Sequence, residues 1–368
     1  MKTPRHIVHA ALVSIAACLL LSGCATPRGG AASADAALSS WNADAPARSA
    51  LVEYVEAVTD PASPDFIPPE ERVAVFDLDG TLFCETDPNY FDYTLLVHRV
   101  AEDPDYRNRA SEAERETVRK ILGMNGTGVA AKGLETDHGR AVASAFAGFT
   151  LEEFDRYVQA FKAIPMPGYD GMARGDGWYR PMLQVVDYLL ANGFQAWVVS
   201  GTDRFIVRAI AKGSPLQVPP ERIIGSDETV VALNQHGADG LSYQLGEDDE
   251  IVLGGEFVVK NLKMNKVAAI VREVGRRPVL AFGNSTGDSS MAAWTARGNP
   301  RRALAFMLCC DDTVRENGDP AKAERMRALC AENGWIPVSM KDDWKTIYGD
   351  GVKKTGLPGA EEELSDAA

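Results

Sequence analysis

The chain has 368 residues, with 52 acidic against 38 basic side chains and a formal net charge of −14. That balance excludes a nucleic-acid-binding protein, because recognition of a phosphate backbone requires a clustered positive surface. With 45% hydrophobic and 24% charged residues, the composition is that of a globular protein and excludes collagen, coiled coils, polytopic membrane proteins and disordered chains.

The N-terminus has the residue order of a secretory signal. Lys2 and Arg5 precede an apolar run from Ile7 to Leu21, which is shorter than the ~20 residues of a transmembrane helix. The run ends in Ser22-Gly23-Cys24, which resembles the lipobox of bacterial lipoproteins; an ordinary signal peptide with an incidental cysteine is the alternative. We therefore predict a signal over residues 1–23, lipidation of Cys24, and a protein exported and lipid-anchored, at the periplasmic side of the outer membrane in a Gram-negative source.

The remaining chain is predicted to contain two folded parts between flexible ends. Residues 24–48 are rich in Ala, Ser, Gly and Pro, which is typical of a flexible tether. The tail over residues 349–368 is predicted to be disordered. The folded parts are a core, residues 49–83 and 180–348, and an insertion within it, residues 84–179.

Short apolar runs alternate with helical patterns in the predicted core. A helix from Pro181 to Asn192 and another from Asn265 to Val274 each lead into such a run. This alternation predicts an α/β fold, a Rossmann-like doubly wound parallel sheet with crossover helices. The runs predicted to be buried strands are Val73–Phe76, Ala196–Val199, Val279–Phe282, Leu304–Leu308 and Ile336–Val338.

The insertion and one later segment have different patterns. Within residues 84–179, capping boxes at Ser111–Glu114 and Thr150–Glu153 open helices and no convincing strand is visible, so we predict an α-helical cap. The β-rich segment Arg222–Val258 predicts strands at Thr229–Leu233 and Leu241–Leu245 around a glycine-containing turn.

Cysteine use is compatible with export. Outside the signal and the lipidation site, four cysteines remain: Cys84, Cys309, Cys310 and Cys330. An oxidising compartment would allow Cys309 or Cys310 to pair with Cys330, but the sequence does not determine the connectivity. No spacing resembles a zinc site.

The strongest chemical signal is Asp77-Leu78-Asp79-Gly80-Thr81, directly after the first predicted strand. The carboxyl end of a parallel strand is where ligands bind in open α/β sheets. Strand alternation directs Asp77 and Asp79 to one side, where two carboxylates repel unless a cation or a shared proton stabilises them. A hard divalent cation satisfies this requirement; a simple chain-reversing turn at Asp79-Gly80 is the alternative.

Three later segments favour a site over a turn. Ser200-Gly201-Thr202 follows the second strand, Lys266 opens the helix before the third, and the run Gly-Asn-Ser-Thr-Gly-Asp over residues 283–288 follows that strand. A nucleophilic carboxylate, a hydroxyl, an ammonium and metal ligands are the groups that phosphoryl transfer requires.

In this order, the motifs resemble the haloacid dehalogenase-like hydrolase superfamily over residues 72–348, and the helical insertion is similar to the cap of its phosphoserine-phosphatase-like branch. The resemblance implies a Mg²⁺-dependent phosphatase that hydrolyses a small phosphomonoester through an aspartyl-phosphate. It also leaves open a phosphotransferase using the same intermediate, or a lipoprotein that binds a phosphorylated ligand without catalysis. The implied partner is a small phosphorylated substrate, with no nucleic acid and no membrane contact beyond the lipid anchor.

The resemblance also implies roles for individual residues. Asp77 resembles the nucleophile and Asp79 the general acid and base, and the presence of Asp79 favours a phosphatase over a dehalogenase. Ser200, Gly201 and Thr202 are implied to bind the substrate phosphoryl group. A lysine, for which Lys266 is preferred to Lys260 or Lys263, is implied to neutralise charge beside the nucleophile.

The implied magnesium ligands are Asp77, Asp79, Asn284 and Asp288. Asn284 departs from the superfamily pattern, which usually has an acidic residue there, although an amide oxygen can still bind the metal. Glu85 is a candidate substrate contact or a solvated loop charge. Arg204 is expected either at the mouth of the site or in a surface ion pair.

Overall fold

The computed structural model of the chain describes residues 34–85, 89–127 and 130–356. The predicted signal, the lipidation site Cys24 and the end of the tail from residue 357 lie outside the described residues. The described residues all belong to one compact unit. Within these ranges, no helix combines the length and apolar character needed to cross a bilayer.

A seven-stranded sheet with the order β5-β4-β3-β1-β6-β7-β8 forms the centre of the fold. Neighbouring strands are parallel except for the antiparallel pair β4-β5. The strands are β1 Val73–Phe76, β2 Tyr169–Asp170, β3 Gln195–Asp203, β4 Ile223–Ala232, β5 Ile251–Val259, β6 Leu280–Gly283, β7 Leu304–Cys309, β8 Ile336–Ser339 and β9 Lys353–Lys354. The five apolar runs therefore do form strands, which confirms the predicted α/β fold with a mostly parallel sheet.

Helices cover the sheet and form the insertion. They are α1 Ala34–Ala37, α2 Pro46–Thr59, α3 Phe91–Val97, α4 Glu112–Thr127, α5 Leu134–Ala145, α6 Leu151–Lys162, α7 Arg180–Ala191, α8 Arg204–Ala211, α9 Met264–Glu273, α10 Ser289–Ala296 and α11 Pro320–Asn333. A π turn, His98–Glu102, extends α3, and 3₁₀ turns occupy Pro69–Glu71, Arg174–Asp176, Pro220–Arg222 and Leu233–Gln235. Helices α3 to α6 follow β1 directly, in the region predicted to be a helical cap.

The sheet register aligns the strand ends that carry the motifs. Phe76 of β1 is paired with Val198 of β3 on one side and with Phe282 of β6 on the other. The rings of Phe76 and Phe282 stack with centroids 4.5 Å apart, in the buried core beneath the sheet edge. Because β1 is flanked by strands reached in opposite directions along the sheet, its carboxyl end opens at the topological switch point, where ligands bind in such folds.

The capping boxes form as predicted. The backbone N–H of Glu153 donates to Thr150 Oγ1 at 3.2 Å, and the N–H of Thr150 donates to Glu153 Oε2 at 3.0 Å. The same reciprocal pair joins Ser111 and Glu114 at the start of α4. Each box satisfies two backbone donors at a helix start that have no partner within the helix.

The predicted tether is wrong for its described part. Residues 34–48 contain α1 and the start of α2, and Leu38 and Trp41 are buried in the core. Trp41 packs edge-on against Trp344, with ring centroids 5.8 Å apart, and its Nε1 donates to the carbonyl of Pro181 at 3.0 Å. Two large apolar side chains outweigh the small-residue composition that suggested a flexible segment.

Two further local predictions differ from the structure. Leu241–Leu245 is not a strand, and Leu241 is fully exposed in a turn. The strand that pairs with β4 is β5. The backbone N–H of Leu253 in β5 also donates to the carbonyl of Phe149 in the cap. The tail is ordered as far as residue 356, because β9 pairs with β2. The residue types in these two segments, apolar residues at 241–245 and lysines in β9, did not indicate which segments would form strand pairs. None of the four described cysteines forms a disulfide, so the possible pairing with Cys330 is not present.

Candidate active site

The predicted motifs meet at a cavity of about 290 Å³ above the carboxyl ends of β1, β3 and β6. The backbone N–H of Asp77 donates to the carbonyl of Phe282 at 2.9 Å, which fixes the first motif beside β6. A larger groove of about 640 Å³ lies between α4, α5 and β5, but no predicted catalytic residue lines it. The predicted site residues that line the smaller cavity are Asp77, Asp79, Gly201, Thr202, Lys266, Asn284 and Asp288.

Lys266 is the lysine that the structure places against the first motif. Its fully buried Nζ lies 2.5 Å from Asp77 Oδ1 and 2.7 Å from Asp288 Oδ1. Burial alone would lower its pKa, but the two carboxylates raise the pKa of Lys266 to about 12. Lys260 and Lys263 also line the cavity, without an ion pair to any described residue.

The two motif aspartates have shifted protonation equilibria. Burial and the charge of Asp288 raise the pKa of Asp77 to about 7, against the opposing effect of Lys266. Burial, then Asp92 and Asp77, raise the pKa of Asp79 well above its usual value. Thr202 Oγ1 donates to Asp79 Oδ2 at 2.8 Å, whereas Asp79 Oδ1 has no hydrogen-bond partner among the described residues. Asp79 is therefore the carboxyl group better suited to carry a proton.

Gly80 is required by both conformation and space. Its φ is +77°, and a Cβ at this position would collide with the side chains of Asn284 and Glu85. Asn284 Nδ2 donates to Glu85 Oε2 at 3.0 Å, so the amide closes over the glycine. The turn after Asp79 therefore depends on a residue without a side chain.

The loop after β6 is organised around Asp288. Asp288 Oδ2 accepts hydrogen bonds from the backbone N–H of Asn284 at 3.1 Å and of Ser285 at 3.0 Å, while Oδ1 meets Lys266. These bonds explain why a carboxylate with only 1% exposure is tolerated here. Asp288 thereby positions both the loop and the lysine.

The Ser200 loop presents its backbone rather than its hydroxyl. Ser200 is fully buried, its Oγ accepts from the N–H of Thr202 at 3.0 Å, and its carbonyl accepts from Asn261 Nδ2 at 3.0 Å. Gly201 and Thr202 line the cavity, whereas Ser200 does not. The structure thus brings two of these three predicted phosphoryl-binding residues to the cavity and places the third directly behind them.

The oxygen donors around the cavity suit a hard cation. A divalent ion would relieve the repulsion between the buried carboxylates of Asp77 and Asp288. Among the described residues, no group of three or more Asp, Glu, His or Cys side chains forms a metal cage. Magnesium does not need one, because it usually binds one or two carboxylates and completes its shell with water and substrate phosphate. Of the four implied ligands, Asp77, Asp288 and the amide oxygen of Asn284 fit that pattern. The side chain of Asp79, whose pKa is raised well above its usual value, is better suited to hold a proton than to bind the metal.

Two predicted substrate contacts are placed elsewhere. Arg204 follows Asp203, which caps α8, and its guanidinium pairs with Asp227 at 2.7 Å and Glu273 at 2.8 Å, away from the cavity lining. Of the two placements expected for Arg204, the mouth of the site or a surface ion pair, the structure has the ion pair. Glu85 pairs with Lys322 Nζ at 2.7 Å and accepts from Asn284, so it supports the loops rather than lining the cavity.

The structure adds residues that the motifs did not reveal. They are Asp92, Tyr93 and Glu135 from the cap and Lys322 from α11. Tyr90, which follows the first motif closely in the sequence, also lines the cavity, as its position there suggests. An aspartate in the mostly apolar and largely buried helix α3 is a signal that could have identified Asp92. Lys322 has no comparable local signal.

The chain is similar to known proteins in sequence and in structure. The family model described as haloacid dehalogenase-like hydrolase matches residues 74–293. No curated protein sequence matches the chain. A conserved protein of unknown function from Anaerococcus prevotii is similar in structure, with 14% identity, a TM-score of 0.47 and coverage of 80% of this chain and 91% of that one. Cytosolic 5′-nucleotidase IIIB bound to cytidine is similar with 12% identity and a TM-score of 0.47, over 80% of this chain and 85% of that one. A phosphoserine phosphohydrolase-like protein from Francisella tularensis is similar with 16% identity and a TM-score of 0.35, over 64% of this chain and 87% of that one.

Proposed function

The chain belongs to the haloacid dehalogenase-like hydrolases, and from that premise we propose that it is a magnesium-dependent phosphatase acting on a small phosphomonoester. The observation that carries the proposal is the buried triad in which Lys266 Nζ bridges Asp77 and Asp288 at 2.5 and 2.7 Å, beside the unpartnered carboxyl oxygen of Asp79. A protein that only binds phosphate gains nothing from adjacent carboxylates facing an anion.

The residues divide the reaction between them. Asp77 is exposed to the cavity with one oxygen on Lys266, so its other oxygen is the nucleophile that attacks phosphorus and forms the aspartyl-phosphate. Asp79, held by Thr202, protonates the leaving alcohol and then accepts a proton from the water that hydrolyses the intermediate. The backbone at Gly201 and the ammonium of Lys266 hold the phosphoryl oxygens.

Magnesium would be held by Asp77, Asp288 and the Asn284 amide. When bound, it supplies positive charge that neutralises the phosphoryl oxygens and orients them for displacement. The Asn284 amide contributes no charge, so we expect weaker metal binding than an acidic residue would give.

The test is hydrolysis of p-nitrophenyl phosphate with Mg²⁺. Asp77→Asn keeps the side-chain shape but removes the nucleophile, and we expect activity to fall by more than about 10³-fold while circular dichroism is unchanged. Asp44→Asn, at an exposed position outside the cavity, is the matched control and should retain full activity. Retained activity in Asp77→Asn would refute the mechanism. Addition of acceptor alcohols and analysis of the products distinguishes hydrolysis from phosphotransfer.

We also propose that the protein is exported and lipid-anchored through Cys24, on the strength of the N-terminal sequence pattern. Metabolic labelling with a fatty-acid analogue should label the wild-type protein and recover it with membranes. Cys24→Ser should lose both the label and the membrane fraction. Equal labelling of the two proteins would refute lipidation at this residue.

A further inference from the structure

The cap wall and the core wall of the cavity differ in charge. The described cap residues that line it are two tyrosines and two acids: Tyr90, Asp92, Tyr93 and Glu135. The core wall carries Lys260 and Lys263, neither of which forms an ion pair with a described residue, in addition to Lys266. A ligand with an anionic end and a cationic end complements this arrangement.

Asp92 is a buried carboxylate without a cationic partner. It has 2% exposure, and its Oδ1 has no hydrogen-bond partner among the described residues. Among the described residues, the basic side chain in contact with it is His138, whose Nδ1 lies 3.8 Å from Asp92 Oδ2. Burial lowers the pKa of His138 to about 4, despite the opposing effect of Asp92, so the imidazole is neutral near pH 7. Burying such a carboxylate is costly unless a cation reaches it, and the cavity is the route by which one could.

The neighbouring residues on the same wall are also suited to a cation. The rings of Tyr90 and Tyr93 lie edge to face with centroids 5.2 Å apart, and aromatic faces attract ammonium groups. Glu135 is exposed and has no partner among the described residues. Glu85, in contrast, is already paired with Lys322 and is not available to a ligand.

We propose that the leaving group is a small amino alcohol, whose ammonium group binds between Asp92, Glu135 and the Tyr90–Tyr93 pair. This inference rests on the proposed phosphatase function. The cavity volume of about 290 Å³ is at the small end of the range for ligand sites, which limits the substrate to a short phosphomonoester.

The reaction balances without a further reactant. One Asp77 oxygen forms a bond to phosphorus as the bond from phosphorus to the amino alcohol oxygen breaks, and Asp79 gives its proton to that oxygen. Water then attacks the phosphorus of the aspartyl-phosphate, the bond from phosphorus to the Asp77 oxygen breaks, and the water gives a proton to Asp79. The products are inorganic phosphate and the amino alcohol, and both aspartates return to their initial states.

The test compares kcat/KM, with Mg²⁺ present, for three kinds of phosphomonoester. Ethanolamine phosphate and choline phosphate carry a cation, glycerol phosphate is neutral beyond its phosphate, and 3-phosphoglycerate carries a second anion. We expect the cationic esters to be at least about 10-fold better substrates than the other two, as expected for a charge-assisted contact. Equal or better turnover of glycerol phosphate or 3-phosphoglycerate would overturn the inference.

Variants assign the preference to the cap wall. Because Asp92 also raises the pKa of Asp79, Asp92→Asn should change the hydrolysis of every ester, including p-nitrophenyl phosphate. Beyond that common change, kcat/KM for the cationic esters should fall by a further factor of about 10 to 100, the range for a lost hydrogen bond to a charged group. Glu135→Gln should give a smaller loss of about 3-fold, with the same substrate dependence, because Glu135 is exposed. Glu152→Gln, an exposed acid on α6 outside the cavity lining, is the control and should change neither. Equal losses for all substrates would show that the cap acids do not select the cation.

Two further measurements separate this inference from the proposed function. If Asp92→Asn does not fold, Glu135→Gln at its exposed position decides the question alone. If no ester is hydrolysed, the phosphatase proposal fails, and calorimetry with choline phosphate and glycerol phosphate then tests the binding preference by itself. Tighter binding of choline phosphate supports the cation site, and equal binding refutes it.

Discussion

The bridge formed by Lys266 makes a specific prediction about stability. In Lys266→Met a side chain of similar length occupies the same buried position, but Asp77 and Asp288 lose the only cation that contacts them among the described residues. Two buried carboxylates then face each other without compensation. The metal-free variant should be markedly less stable than the wild type.

The size of this loss of stability can be worked out from the distances between Lys266 Nζ and the two carboxylates. At 2.5 and 2.7 Å and an effective dielectric near 20, each attraction is about 6 kcal/mol before desolvation is subtracted. Removal of one partner from a buried ion pair leaves a net loss of about 3–5 kcal/mol. Since the folded pKa of Lys266, about 12, lies above its usual 10.5, its contribution is complete below pH 10.5. In the variant the carboxylates can take up protons at low pH, so the loss should be smaller at pH 5 than at pH 8.

Urea denaturation in EDTA, at both pH values, measures the free energy of unfolding. Lys263→Met is the matched control, because Lys263 lines the same cavity but is exposed and unpaired among the described residues; it should change stability by less than about 0.5 kcal/mol. A loss below about 1 kcal/mol in Lys266→Met, or an equal loss in the control, would refute the bridging role. A larger loss at pH 5 than at pH 8 would refute the electrostatic explanation.

Three other changes test separate parts of the structure. Gly80→Ala should lower phosphatase activity more than about 10-fold and lower the free energy of unfolding by about 1–3 kcal/mol, because Gly80 has a positive φ and crowded surroundings. Gly123→Ala, where a Cβ would meet no atom within 4 Å, should do neither. Burial and two neighbouring aspartates raise the pKa of Glu228 to about 9 from 4.5; the folded state therefore holds a proton that the unfolded state releases, and stability should fall from pH 5 to pH 9. Glu228→Gln should flatten that fall in denaturation curves, whereas the exposed Glu256→Gln should not. Trp41→Ala should lower stability by about 3–5 kcal/mol, and an unchanged unfolding midpoint would restore the flexible tether.

The parallel core was predictable because its strands are buried on both faces. β1 and β6 consist of consecutive buried residues and therefore appear in the sequence as continuous apolar runs. β5 is an edge strand in which exposed and buried residues are mixed, and the neighbouring Leu241 is apolar but fully exposed. Hydrophobic patterning cannot place such a strand, because what fixes it is pairing with β4 and with the cap backbone.

The cavity was predictable to the extent that its residues lie next to strand ends. Asp77 and Asp288 each follow a strand within a few residues, so the sheet alone brings them together. Glu85 could not be assigned in this way, because its partner Lys322 lies 237 residues further along the chain. The partners of Arg204 were also not predictable. It lies one residue from a strand end, but its guanidinium pairs with both Asp227 and Glu273. Proximity in sequence thus located these residues without indicating which neighbour would bind the charge.

The net charge of −14 and the lysines of the cavity act on an anionic substrate over different distances. An acidic surface repels an anionic substrate at long range, so the overall field cannot increase the rate of encounter. Attraction must come from charges within a few ångströms, and Lys260, Lys263 and Lys266 all line the cavity. Added salt screens the long-range repulsion over about 10 Å but has little effect on a buried group such as Lys266. Substrate capture should therefore be insensitive to salt or weakly favoured by it, the opposite of what a positively charged surface would give.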